Sequence, residues 1–100
     1  MADFNEIIND STRPTLVDFY ATWCVPCKMQ APVLEEVKKA LGDKANVVKI
    51  DVDKNQAVAA NYHVQSIPTL LLFVDGKVVW RVSGFQQAAE LVAKVKEYCK

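Results

Sequence analysis

Seven residues, Thr15-Leu16-Val17-Asp18-Phe19-Tyr20-Ala21, form an almost unbroken apolar run. A half-buried strand alternates apolar and polar residues, so a run without alternation reads as a strand covered on both faces. Such strands belong in the middle of a layered α/β sheet. Asp18 interrupts the run. Either face of this strand is buried, and a buried carboxylate is costly unless it is protonated, paired or functional. An edge strand, which would let Asp18 reach water, is the alternative.

The rest of the chain supplies the layers around that strand. Asp3 followed by Glu6, with Phe4, Ile7 and Ile8 at helical spacing, predicts a short capped helix ending near Asn9 and Asp10, and Ser11 to Pro14 form a connection. Met29, Val33, Leu34, Val37 and Leu41 predict a helix from Pro26 to about Leu41 that stops at Gly42. Pro32 within it removes one hydrogen bond and kinks the axis, setting the leading turn apart. Val47 to Val52 is the next strand, and its strand-helix-strand order makes a right-handed parallel crossover with the first. Asn55 to Tyr62 reads as a short helix. Asp75-Gly76 between two strand-like runs predicts an antiparallel hairpin of Thr69–Val74 and Lys77–Ser83. Gln86 to Tyr98 closes the chain as a helix, with Cys99 a packed or fraying-end thiol. His63, the only histidine, has no second histidine or acidic pair beside it and reads as a surface or helix-end residue.

One hundred residues make one domain, 1–100, large enough for a core without staples. Twelve basic and twelve acidic side chains leave no net charge, which removes the electrostatic footprint for nucleic acid or an anionic membrane. The first six residues lack the basic start and apolar run of a secretory signal, and no apolar stretch approaches the roughly 18 residues of a membrane span. Three cysteines, an odd number, fit a reducing compartment, so the expected location is cytoplasmic; the chain is expected to be a monomer.

The chemistry is concentrated in Trp23-Cys24-Val25-Pro26-Cys27-Lys28. Residues three apart on a helix have Cβ atoms roughly 5 to 6 Å apart, and a disulfide needs about 3.8 Å, so a slightly tightened first turn closes the bond. Pro26 has no donor to lose in a first turn and marks a helix start between the two cysteines. Cys24 then lies at the helix N-terminus, where unpaired amides and the positive end of the dipole favour the thiolate. That makes Cys24 the nucleophile. Cys27, a turn further in and under more protein, is the resolving thiol.

Leu16 to Lys28, with Asp51-Val52-Asp53, Ser66-Ile67-Pro68-Thr69, Asp75-Gly76 and Gly84 following in order, closely resembles the thioredoxin family over nearly the whole chain after about Thr15. The family usually has Gly in place of Val25 and often Trp in place of Tyr20. The resemblance implies an α/β thioredoxin-like fold, a four-stranded mixed sheet flanked by helices on both faces. Longer members begin with an extra edge strand, and too few residues precede Thr15 to supply both it and the first helix. It implies that Asp18 lies beneath the cysteines and exchanges a proton with Cys27, and that Lys49, otherwise a solvated strand lysine, biases that proton. It also implies a cis bond before Pro68, against the roughly 5 to 6% base frequency for any X-Pro bond. The groove for an extended target would be lined by Trp23, Val25, Pro26, Ile67, Pro68 and Gly84, with the backbone of Ile67 free to pair with the target.

The implied activity is protein disulfide reduction with no bound cofactor beyond the redox-active Cys24–Cys27 pair. The implied donor is an NADPH-dependent thioredoxin reductase, a flavoprotein; the implied targets include ribonucleotide reductase, peroxiredoxins and methionine sulfoxide reductases. A zinc site would want further ligands at close spacing, and Cys99 and His63 are distant. A disulfide oxidase or isomerase of this fold usually has histidine between the cysteines, where this chain has Val25-Pro26. The third alternative is a binding module that clamps partners through the Trp23, Pro68 and Gly84 surface, its redox pair incidental.

Overall fold

The computed structural model describes residues 3–100; Met1 and Ala2, the start of the stretch read for a leader, lie outside the described residues. The apolar run becomes β1 (Thr15–Tyr20), which pairs parallel with β2 (Asn46–Asp51) on one side and antiparallel with β3 (Thr69–Val74) on the other. With β4 (Lys77–Ser83) the four-stranded sheet runs β2-β1-β3-β4, a mixed sheet with β1 inside it. Five of the six β1 residues are buried, Asp18 among them. The edge-strand alternative is therefore excluded.

Alternate residues of the two central strands feed two separate cores, as the period of two along a strand requires. Leu16, Leu70 and Leu72 pack against Leu34, Val37 and Leu41 of α2 (Val25–Leu41) and Leu91 and Val95 of α4 (Ala88–Lys96). On the opposite face, Val17, Phe19, Leu71 and Phe73 meet Phe4 and Ile8 of α1 (Phe4–Ile8) and Val58 and Tyr62, in and just after α3 (Gln56–Asn61). Phe73 meets both Phe4 and Tyr62 edge to face, Tyr62 at 5.3 Å between centroids. Fully burying each such side chain is worth about 1.5–3 kcal/mol, so both helical layers are held by the sheet itself.

The local signals explain most boundaries. In α2 the buried positions Cys27, Gln30, Leu34, Val37 and Leu41 fall three and four apart on one face. Gly42 ends it at φ 56°, and its N–H donates back to the Lys38 carbonyl. Pro32 lies inside the helix without ending it. The hairpin strands have the bounds expected from Asp75-Gly76. Gly76 there has φ 80°, and a Cβ on it would overlap Asn9 Oδ1, while its N–H donates to the Ile8 carbonyl at 3.0 Å. The hairpin tip thus holds α1 in place. Asp3 is the N-cap of α1, but its side chain makes no capping bond; its backbone carbonyl accepts from Glu6 and Ile7 instead.

Asp10 organises the α1–β1 connection. Its carboxylate accepts from the Thr12 hydroxyl at 2.6 Å, the Thr12 N–H at 2.8 Å, Arg13 Nε at 3.1 Å and Asn46 Nδ2 at 2.9 Å. The Thr12 hydroxyl above all, then Asn46, hold the carboxyl well below the usual carboxylate range. A depressed folded-state pKa stabilises the fold above the unfolded value of about 3.9, and the contribution is lost as pH falls from there toward the folded value. Asp10→Ala should lower Tm at pH 7 by a few degrees, with the gap narrowing below about pH 4. Calorimetry showing the same gap in strong acid would contradict this account of Asp10.

Candidate active site

Cys24 is the N-cap of α2, in extended conformation, and its sulfur accepts a hydrogen bond from the Cys27 N–H at 3.2 Å. The start of α2 follows directly from the sequence: Pro26 occupies the first turn, where it has no donor to lose. Cys24 and Cys27 are joined as a disulfide with Cα atoms 5.2 Å apart, inside the 4.4–6.8 Å range such bonds span. Once the bond is reduced, the same amide and the helix N-terminus favour a thiolate on Cys24.

Cys24 is 5% exposed and Cys27 4%, so depth alone does not separate the two, contrary to the expectation from sequence. Their surroundings do. The Cys24 sulfur lies 3.8 Å from the carbonyl oxygen of Ile67. Next to it, Trp23 and Val25 are 66% and 65% exposed, and Pro26 is exposed. Cys27 instead lines a cavity of about 110 Å³ shared with Asp18, Tyr20, Ala31 and Lys49.

Asp18 is 1% exposed, and its Oδ1 has no hydrogen-bond partner among the described residues. Burial pushes its carboxyl up to about 7, while the positive charge of Lys49 pulls it partly back. Lys49 stands opposite Asp18 in the β1–β2 register and places its Nζ 5.5 Å from the Tyr20 ring centroid, at the solvent side of the cavity. The surface of this cavity is almost wholly apolar, which is why the Asp18 charge is poorly solvated there.

The Ile67-Pro68 peptide is cis, as the resemblance implies and against the expectation from local sequence. Pro68 is buried and Ile67 half-buried beside the cysteines. The Ile67 N–H makes no hydrogen bond to any described residue. The Pro68 carbonyl accepts from the Gly84 N–H at 2.8 Å, which brings Gly84 beside Pro68. Gly84 has φ 89°, and a Cβ there would meet nothing within 4 Å, so backbone conformation rather than space calls for glycine.

Two contributors escape sequence reasoning. Asp53 accepts from Trp23 Nε1 at 2.9 Å and ties the exposed indole to the loop after β2; nothing local pairs residues 30 apart. Gln30, fully buried in α2, donates to the Gln86 carbonyl at 2.9 Å and accepts from the Gln86 N–H at 2.8 Å. Its place in the stripe Cys27, Gln30, Leu34, Val37, Leu41 was the available signal. His63 and Cys99 lie elsewhere. His63 follows α3, exposed at φ 55°, and Cys99 is half-buried with its sulfur 3.4 Å from the Val95 carbonyl.

The family model "Thioredoxin" matches residues 1–97. A thioredoxin-like protein of Synechocystis is 50% identical over 97 residues, 97% of this chain and 92% of the relative. A thioredoxin of Staphylococcus saprophyticus is 47% identical over 98% of this chain and 94% of its own. A solved mutant thioredoxin from Halobacterium salinarum superposes with a TM-score of 0.85 at 43% identity, covering 96% of this chain and 82% of that one.

Proposed function

This chain belongs to the thioredoxin family, and from that premise we propose that Cys24 attacks, Cys27 resolves and Asp18 takes the proton in its reduction of protein disulfides. The reaction class, thiol-disulfide exchange through the Cys24–Cys27 pair, is that of the family. The carrying observation is that pair, bonded across the first turn of α2 with the Cys27 amide on the Cys24 sulfur.

The Cys24 thiolate attacks one sulfur of the target disulfide; that S–S bond breaks, a mixed disulfide forms, and the departing target sulfur takes up a proton. Cys27 then loses its proton toward the Asp18 carboxylate across the shared cavity and attacks the Cys24 sulfur. The mixed disulfide breaks, the second target sulfur leaves as a thiolate and takes up a proton, and the chain ends oxidised, having passed two electrons to the target. A carboxyl held near 7 suits this role, because a base works best when its pKa lies close to the operating pH. Lys49, across from Asp18, favours the charged form and so tunes the same proton. No group beyond the two sulfurs is required for the exchange.

Targets would dock as extended segments across Trp23, Val25, Pro26, Ile67, Pro68 and Gly84. The open N–H of Ile67 supports main-chain pairing there, which asks little of target sequence. The partners proposed are an NADPH-dependent thioredoxin reductase as electron donor and disulfide-bearing proteins such as ribonucleotide reductase, peroxiredoxins and methionine sulfoxide reductases as targets. A reducing compartment, the cytoplasm, suits a monomer that keeps Cys99 as a free thiol. Insulin reduction driven by dithiothreitol or by a thioredoxin reductase with NADPH tests the reading. Catalysed turnover is expected, and none from the native sequence would refute it.

A further inference from the structure

Among the described residues, Gln30 is the only side chain within α2 that hydrogen-bonds outside its own helix, and both of its bonds go to the backbone of Gln86. Every other buried residue of its stripe from Leu34 onward is aliphatic. A Met or Leu there would fill the same space without burying an amide. It would also leave the Gln86 N–H and C=O unpaired, which costs about 1–3 kcal/mol per group. The amide therefore serves the loop between β4 and α4, and that loop carries Gly84.

The bonds form a closed circuit around the disulfide. Gln30 lies one helical turn beyond Cys27 and holds Gln86 by two bonds. Gln86 Nε2 reaches the Gly84 carbonyl at 3.4 Å, the Gly84 N–H donates to the Pro68 carbonyl, and the Ile67 carbonyl faces the Cys24 sulfur. The two walls of the groove, the start of α2 and the Gly84 loop, are thus set relative to each other through one side chain.

We infer that Gln30 is a positioning residue for target recognition: it fixes the Gly84 wall against the cysteine-bearing helix, and so governs the affinity for extended protein disulfides but not the sulfur chemistry. The inference rests on the disulfide-reductase reading above. An extended target touches both walls, so loosening one of them raises KM. A small aromatic disulfide meets only the sulfurs and is indifferent to the loop.

The test compares parent, Gln30→Met and Gln30→Glu with a self-quenched disulfide-linked peptide and with 5,5′-dithiobis(2-nitrobenzoate). Gln30→Met should raise KM for the peptide about tenfold, corresponding to about 1.4 kcal/mol. Its kcat, and its rate with the small disulfide, should stay within about twofold of the parent. Gln30→Glu separates positioning from folding. At pH 8 its carboxylate opposes the Gln86 carbonyl and reproduces the KM defect. At pH 6 the buried carboxyl is protonated, donates to that carbonyl while accepting from the Gln86 N–H, and restores KM toward the parent at the same pH. If Gln30→Met does not fold, the two pH values of Gln30→Glu decide alone. A peptide KM equal to the parent's in a variant with lowered Tm would show that Gln30 only satisfies buried atoms, and equal losses with both disulfides would place the defect at the sulfurs. Either result overturns the inference. Failure of the parent itself to reduce the peptide would instead overturn the reductase reading.

Discussion

Cys27→Ser should stop turnover and trap the target on Cys24 as a mixed disulfide, whereas Cys24→Ser should abolish capture altogether. The expectation follows from what surrounds each sulfur. Cys24 accepts the Cys27 amide, faces the Ile67 carbonyl, and is flanked by exposed Trp23, Val25 and Pro26. Cys27 faces inward to the cavity it shares with Asp18. With Cys27 gone, nothing attacks the mixed disulfide, and insulin reduction falls to the uncatalysed background. Intact-mass spectrometry of each variant, incubated with a disulfide-bonded target, reads the adduct. Equal trapping through Cys27 in the Cys24→Ser protein would reverse the assignment.

The second large effect belongs to Asp18. Its folded-state pKa is raised from 3.8 to about 7, by burial first and with Lys49 opposing. A raised carboxyl leaves stability intact below the unfolded value. It then removes stability as pH climbs from there through the folded value. The penalty saturates above pH 7 at about 4 kcal/mol. Asp18→Asn removes the charge but still buries an amide, whose unpaired atoms cost about 1–3 kcal/mol. The net expectation is a variant more stable than the parent by about 1–3 kcal/mol at pH 8.5, with the advantage gone or reversed near pH 3.5. Urea titrations at the two pH values measure it, and equal stability at pH 8.5 would mean that Asp18 has a partner that compensates its charge. The same substitution should slow resolution of the mixed disulfide by about a hundredfold, the low end of what a positioned base contributes. The parent's rate should rise through about pH 7, and the Asn variant's should not.

The hairpin and the central strand were legible because their signals are local. Asp75-Gly76 defines a turn in two residues, and the strands on either side, Thr69–Val74 and Lys77–Ser83, have the bounds expected from it. The unbroken run at Thr15–Ala21 placed Asp18 inside the sheet for a physical reason, since neither face of such a strand can be wet. What escaped reading depends on partners far along the chain. The closing helix starts at Ala88 rather than Gln86, and the Gln86 backbone is bound to Gln30, 56 residues away. The near-equal covering of Cys24 and Cys27 has the same origin. The Ile67 segment packs over the pair from 43 residues on, so a turn expected to leave Cys24 open is partly roofed. Asp10 marks only the end of a helix, and Asp53 only part of a family stretch, until Asn46 and Trp23 are seen beside them.

The position of β1 between β2 and β3 also sets when, during synthesis, the redox pair becomes competent. Residues 15 to 20 leave the ribosome early, yet one of their edges waits for Asn46–Asp51 and the other for Thr69–Val74. Closing such long loops is what makes non-local sheets slow to form. A nascent chain shorter than about residue 74 can coil the turn around Pro26, but it has neither a dry carboxyl under Cys27 nor a carbonyl facing Cys24. At that stage it is an exposed dithiol, as open to stray oxidation as any other. The turn can favour a thiolate on Cys24 by itself, but the carboxyl beneath Cys27 arrives only with the strands that enclose it.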